Sequence, residues 1–205
     1  MKTTLLLATR NLKKQKELQD LTAGGDWHVV TLRDFPDCPE VIEDGGSFLE
    51  NAKKKAVETS RHTGCLTLAD DSGLEVDALH GAPGIYSARY ARGEGSTDED
   101  NLRRVLAELG DTPEERRTAR FVCAAVIARD GEALFSTSRS VEGRIAFAPR
   151  GENGFGYDPI FFYPPFGQTF AEIDAALKHS VSHRGQAMNE VMNFLMHFKG
   201  GGSRE

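Results

Sequence analysis

The 205-residue chain has no apolar run fit to cross a bilayer, no close pair of cysteines and no excess of positive charge. A membrane-spanning helix needs roughly 20 consecutive apolar residues. The stretch Leu5-Leu6-Leu7-Ala8 is far shorter and runs straight into Arg10, Lys13 and Lys14, so it reads neither as a span nor as a signal-peptide core. The expected location is therefore cytoplasmic. The cysteines Cys38, Cys65 and Cys123 are odd in number and widely spaced, which excludes a disulfide framework and the Cys-x-x-Cys pattern of a zinc site. With 25 basic against 31 acidic residues and a net charge of −6, the chain lacks the basic face that displaces counterions from a nucleic-acid backbone. A small phosphate-bearing ligand stays open, given local lysines and a metal. No internal repeat and no low-complexity segment is present beyond residues 200–205, a tail expected to be disordered.

What is present is ordinary soluble composition, 39% hydrophobic and 27% charged, in a chain long enough for a sizeable core. Thr3 to Ala8 reads as a first strand, followed by Thr9-Arg10-Asn11 and a helix carrying Lys13, Lys14 and Lys16. Backbone N–H groups at such a helix start are unpaired and partly positive, so they and Lys14 can receive a phosphate, or the helix is simply capped. The glycines of a Walker A loop are missing. After a strand from His28 to Leu32, Ser47 and Glu50 form a capping box for a helix ending near His62, while Glu43 lies free in the loop before it.

Leu66-Thr67-Leu68-Ala69-Asp70-Asp71-Ser72-Gly73 is a buried strand that ends in two adjacent carboxylates, a hydroxyl and a glycine. Neighbouring strand residues point to opposite faces, so both acids share a pocket only if the chain turns, which Gly73 permits. The pair is either a divalent-cation site at the carboxyl end of a strand or an Asx-turn closing it.

Further on, Gly81 to Tyr90 is a loop rich in glycine and aromatics, expected to be pinned by packing or used as an oligomer contact. A helix runs from a Thr97 cap to Leu109, with Gly110 just past its end. Ala119–Arg129 and Ala133–Val141 are joined by Asp130-Gly131, a hairpin signal, so the sheet is expected to be mixed. Residues 149–159 show no period, and Phe155, flanked by glycines, either stacks on a flat ligand or plugs the core. Thr169 and Glu172 form a second capping box for a helix to about His179. The last helix, from Ser182-His183-Arg184 to Phe198, is expected to bury Ala187, Met188, Val191, Leu195 and Met196. Its first turn carries two cations, the wrong sign for the helix dipole, which points to an acceptor-rich neighbour.

Six stretches together resemble the inosine triphosphate pyrophosphatase family: Thr9-x-Asn11-x-x-Lys14, Phe48-x-Glu50-Asn51-Ala52, Ala69-Asp70-Asp71-Ser72-Gly73, Gly81 to Tyr90, Gly154 to Pro159, and Ser182-His183-Arg184. The resemblance implies Mg2+-dependent hydrolysis of inosine, deoxyinosine and xanthosine triphosphates to monophosphate and pyrophosphate. It also implies an α/β fold, a two-lobed α/β/α architecture around a long mixed sheet with the nucleotide cleft between the lobes. A single domain over residues 1–199 and a homodimer are expected. By resemblance, Thr9, Asn11, Lys14 and Lys178 hold phosphates, Asp71 is the proton acceptor beside Mg2+, Ser72 touches substrate and Glu43 is a further metal ligand. Phe155, Gly156, Tyr157, Asp158, His183 and Arg184 surround the base. Arg184 only donates hydrogen bonds, so it suits the 6-oxo group of hypoxanthine or xanthine and leaves adenine's 6-amino group unmatched. Asp70 is expected to support Asp71 from behind. One departure is Arg10, which stands where the family usually has glycine and either points away or adds a cation to the phosphate site.

Overall fold

The computed structural model describes residues 3–23, 27–93 and 95–198; the expected disordered tail lies outside them. The apolar run at the start forms β1 (Thr3–Leu7), and Leu5, Leu6 and Leu7 are fully buried. Burial of every residue, rather than every second one, is what a parallel strand covered on both faces requires. β1 pairs in parallel with β2 (Trp27–Thr31) on one side and β3 (Leu66–Val76) on the other. β4 (Thr118–Arg129) and β5 (Glu132–Ile145) follow, joined through Asp130 and Gly131, both at positive φ (51° and 81°), as a tight hairpin turn demands. β6 (Phe161–Tyr163) and β7 (Gln168–Thr169) add antiparallel pairs. The seven strands lie in the order β2-β1-β3-β4-β5-β6-β7, a mixed sheet flanked by helices.

The helices are α1 (Leu12–Thr22), α2 (Phe48–Thr63), α3 (Asp98–Leu109), α4 (Ala175–Val181) and α5 (His183–His197). α3 starts and stops as its sequence dictates. Thr97 and Asp100 exchange side-chain and backbone hydrogen bonds at its start, and Gly110 follows its last residue.

Four expectations are corrected. β3 does not turn at Gly73; it runs unbroken from Leu66 to Val76. Glu50 reaches back to the Gly46 N–H at 2.7 Å, while Ser47 alone caps α2. Asp174, not Thr169, caps α4; the Glu172 carboxylate instead accepts from the Thr169 N–H at 2.7 Å, closing the turn ahead of it. Met196 is 65% exposed, whereas Ala187, Met188, Val191 and Leu195 are buried as expected.

Two compact units make up the chain. The first comprises residues 1–71, 124–138 and 187–205, the second 72–123 and 139–186. In the first, Leu5, Leu6 and Leu7 of β1, Leu66 and Leu68 of β3 and Val126 and Ile127 of β4 are buried, as are Leu18, Ala52 and Ala56 from its helices. In the second, Leu74, Val76, Leu102, Val105, Phe121, Ile145, Phe161 and Phe170 form one core. That unit also buries Arg117, only 1% exposed. Its guanidinium donates to the carbonyls of Ile145, Gly110, Thr112 and Ala146 and lies 4.4 Å from the Phe147 ring centre. Those four oxygens lie just past the end of α3 and at the end of β5, so one cation ties the two segments together. The Gly81–Tyr90 loop is pinned by packing and hydrogen bonds. The Asn101 side chain donates to the Ala88 carbonyl and accepts from the Ala91 N–H, and Ser87 Oγ accepts from the Leu74 N–H.

Candidate active site

The first unit gathers three carboxylates and two lysines around the end of its share of β3. Asp70 and Asp71 are 1% and 8% exposed. Lys14 Nζ, from the first turn of α1, lies 3.4 Å from Asp70 Oδ2. Lys55 Nζ, from α2, lies 2.9 Å from Glu43 Oε1. Asn51, one turn before Lys55, donates from Nδ2 to Asp71 Oδ2 at 3.1 Å and accepts the Gly45 N–H on Oδ1 at 2.8 Å. Asn51 thus fixes the catalytic candidate and the loop carrying Glu43 with one amide. Gly45 is a place where a side chain does not fit, since a Cβ there would sit 2.8 Å from both Asn51 Oδ1 and Glu50 Cβ. Gly45→Ala should therefore destabilise the protein by about 1–3 kcal/mol, read as a lower urea midpoint at unchanged slope.

Burial pushes the Asp71 carboxyl above the ordinary aspartate value; Lys14 and Lys55 oppose this, Glu43 adds to it, and the Asn51 hydrogen bond opposes it. For Lys55, burial favours the neutral amine, but Glu43, Asp70 and Asp71 together outweigh it and hold its pKa above the usual lysine value. Three acids and two lysines share this place. The donors are hard oxygens, which suit Mg2+, an ion that takes one or two carboxylates and keeps the rest of its shell for water and phosphate. Asp71 and Glu43 are the two carboxylates here that could hold such an ion. Among the described residues no group of three or more His, Cys, Asp or Glu side chains is arranged to hold a metal by itself.

Thr9 and Asn11 stand at the head of α1. Asn11 Oδ1 accepts from the N–H groups of Lys13 and Lys14 at 3.0 and 3.2 Å, the expected helix cap, and Thr9 Oγ1 accepts the Asn11 N–H at 3.3 Å. Arg10 is engaged elsewhere, with Nη2 donating to the Cys38 carbonyl at 2.9 Å. Its guanidinium staples this loop to the 35–39 segment.

The second unit builds a different group around Phe155. The half-buried ring has Lys178 Nζ 5.0 Å and Arg184 Cζ 5.6 Å from its centre, both within reach of attraction to an aromatic face. Asp158, 2% exposed, accepts on Oδ2 from Lys178 Nζ at 2.6 Å and from the Phe155 N–H at 2.8 Å. Gly154, at φ +74°, leaves room for that carboxylate; a Cβ there would lie 2.1 Å from Asp158 Oδ2. The Gly156 N–H donates to Asp98 at 3.0 Å, tying the loop to the start of α3. Arg184 Nη2 donates to Ser72 Oγ at 2.6 Å. The Tyr157 hydroxyl donates to the Ser87 carbonyl at 2.8 Å, and the His183 ring stacks on Phe121 with centres 4.7 Å apart.

Thus the structure brings Lys14, Glu43 and Asp71 together, and separately Ser72, Phe155, Asp158, Lys178 and Arg184. Sequence reasoning missed Asn51 and Lys55 as site residues. The signal was available, because they are spaced i, i+4 on α2, which stacks them on one face beside the buried Ala52 and Ala56.

The model of the Ham1 family matches residues 5–194. A dITP/XTP pyrophosphatase of Desulforamulus reducens is 49% identical over 191 residues, 93% of this chain and 94% of that protein. One from Shouchella clausii is 48% identical over 188 residues, 91% and 93% of the two chains. Among solved structures, a HAM1 protein from Coxiella burnetii superposes with a TM-score of 0.86 at 38% identity, covering 96% of this chain and 100% of that one. The Staphylococcus aureus Ham1 protein gives 0.84 at 39%, covering 95% and 99%.

Proposed function

Because this chain belongs to the Ham1 family, we propose that it hydrolyses deaminated purine nucleoside triphosphates (inosine, deoxyinosine and xanthosine triphosphate) to the monophosphate and pyrophosphate. The single observation that carries the chemistry is the buried Asp71, held by Asn51 and faced by Lys14, Lys55 and Glu43. A chain of net charge −6 that takes a polyanion needs such concentrated positive charge where the phosphates bind.

In this reading Lys14, Thr9 and the N–H groups at the start of α1 receive phosphate oxygens, with Asn11 holding that turn in shape. Asp71 orients the attacking water and accepts its proton; burial, by raising its pKa, makes it a better base than an exposed aspartate. Lys14 and Lys55 offset the charge that grows on the departing pyrophosphate. Mg2+ held by Asp71 and Glu43 would supply a Lewis acid that neutralises phosphate charge and eases deprotonation of water. Phe155 stacks on the base, Arg184 donates toward its 6-oxo group, and Lys178 serves the phosphates. Asp158 does this work indirectly, by fixing Phe155 and Lys178. We further propose that the protein acts as a cytoplasmic homodimer without nucleic-acid or membrane partners; among the described residues no helix is long and apolar enough to cross a membrane.

The test is product and substrate together. With Mg2+, the purified protein should release pyrophosphate, not orthophosphate, from inosine triphosphate, at a kcat/KM about 10²-fold or more above that for adenosine triphosphate. Orthophosphate release, or equal turnover of the two, overturns the reading.

A further inference from the structure

The segment that carries Glu43 lies between residues 35 and 47, outside any helix or strand, and the first two turns of α2 hold its last part rung by rung. Glu50 accepts the Gly46 N–H at 2.7 Å and Asn51 accepts the Gly45 N–H at 2.8 Å, while Lys54 Nζ lies 2.6 Å from Asp44 Oδ1 and Lys55 Nζ 2.9 Å from Glu43 Oε1. The loop thus runs antiparallel to the helix, residues 46, 45, 44 and 43 meeting residues 50, 51, 54 and 55. Helix positions four apart stack, so the rungs fall on two stripes, 50 with 54 and 51 with 55. The outer stripe is wet: Glu50 is exposed, and the Lys54 and Asp44 side chains are 33% and 65% exposed, a pair that holds weakly. On the inner stripe, Asn51 is 1% exposed.

Asn51 also reaches past the loop, donating from Nδ2 to Asp71 Oδ2 at 3.1 Å. The Gly45 N–H can only donate and a carboxylate can only accept, so the amide has one orientation and both of its ends are used. A loop that needed only to be fixed would be served by any buried acceptor for Gly45. Giving the other end of the same amide to Asp71 fixes the loop and the acid against each other. The fit has no slack, since a Cβ on Gly45 would come within 2.8 Å of Asn51 Oδ1 and 3.2 Å of its backbone nitrogen.

We propose that Asn51 is a positioning residue for the divalent cation: it locks the Glu43 loop to Asp71, so that the two carboxylates are already in register when the ion binds. This role rests on the function proposed above. Carboxylates on two independent segments would have to be ordered at the moment of binding, and a shared amide removes that cost beforehand.

The experiment titrates Mg2+ in two ways on the wild type, Asn51→Ala, Lys54→Met and Ser60→Ala: by the rate of pyrophosphate release from inosine triphosphate, and by the rise in melting temperature with inorganic pyrophosphate present and no turnover. Asn51→Ala should raise the Mg2+ concentration for half effect about tenfold or more in both, with KM for inosine triphosphate at saturating Mg2+ within about threefold of wild type. Lys54→Met cuts only the exposed rung and should keep the midpoint within about twofold. Ser60→Ala controls for lost stability. Ser60 is fully buried on the same helix and its Oγ accepts the Gly131 N–H at 3.1 Å, so its loss should lower the melting temperature and leave the Mg2+ midpoint in place. If Asn51→Ala does not fold, Gly45→Ala strains the same link from the loop side and should move the midpoint in the same direction. An Asn51→Ala midpoint equal to that of the wild type, or a Ser60→Ala midpoint displaced as far, overturns the role, as does a wild type whose melting ignores Mg2+. Wild-type protein that releases no pyrophosphate from inosine triphosphate defeats the proposed function instead; an active, Mg2+-dependent wild type with an unmoved Asn51→Ala midpoint defeats the role of Asn51 alone.

Discussion

Asp71→Asn should lower pyrophosphate release from inosine triphosphate by about 10²–10⁴-fold, the span covered by loss of a positioned general base, while the protein stays folded. The amide has the shape of the carboxylate, so its oxygen can still accept from Asn51 Nδ2, as Asp71 Oδ2 does at 3.1 Å. Stability should move the other way. Burial holds the Asp71 pKa above its ordinary value, so the unfolded chain loses this proton at a lower pH than the fold does. The deficit that results is absent below the ordinary aspartate range and complete above the raised value. In chelator at neutral pH, Asp71→Asn should therefore melt no lower than the wild type, and any advantage should vanish as pH falls below the ordinary aspartate range. A gain of function-free stability is the pattern of a residue kept for chemistry. Unchanged turnover in Asp71→Asn removes Asp71 from the reaction.

Asp158→Ala should destabilise the protein by about 3–5 kcal/mol. It deletes the carboxylate 2.6 Å from the buried Lys178 ammonium and, with it, the acceptor of the Phe155 N–H. The gap left under Gly154, where that carboxylate packs, adds a packing loss. Urea denaturation checks the size. Kinetics check the role: because Phe155 and Lys178 lose their common anchor, KM for inosine triphosphate should rise more than kcat falls. Asp158→Asn keeps an acceptor for the Phe155 N–H and drops only the charge, so it should recover part of the stability. Full stability in Asp158→Ala would mean that Lys178 is held by other groups.

Much of the fold was legible because its signals are local. The fully apolar Leu5–Leu7 run, the Thr97 cap with Gly110 and the Asp130-Gly131 turn each specify backbone geometry within a few residues, and each stands in the structure where it was expected. The failures are where two local readings compete and tertiary packing chooses. Gly73 permits a turn but does not force one, and β3 stays straight because residues on both sides of it, Ala69 and Leu74, are buried at 1% and 0%. Asp174 and Thr169 both precede α4 with capping chemistry, and only Asp174 lies at the distance that reaches the Leu177 N–H, 2.7 Å.

The sequence by itself determined the mixed α/β class, the family and the residue types of the site, since the six stretches carry their chemistry in their own spacing and the whole chain from residue 5 to 194 matches the Ham1 family. Only the tertiary structure decided what each residue touches. That Asp71 leans on Asn51, that Lys55 joins Glu43, that Arg10 turns to the Cys38 carbonyl and that Arg184 holds Ser72 all depend on contacts between residues 12 to 112 positions apart. Hydrogen bonds and ion pairs are set by distances of a few ångströms, and no periodicity in a sequence records which distant segments packing brings that close.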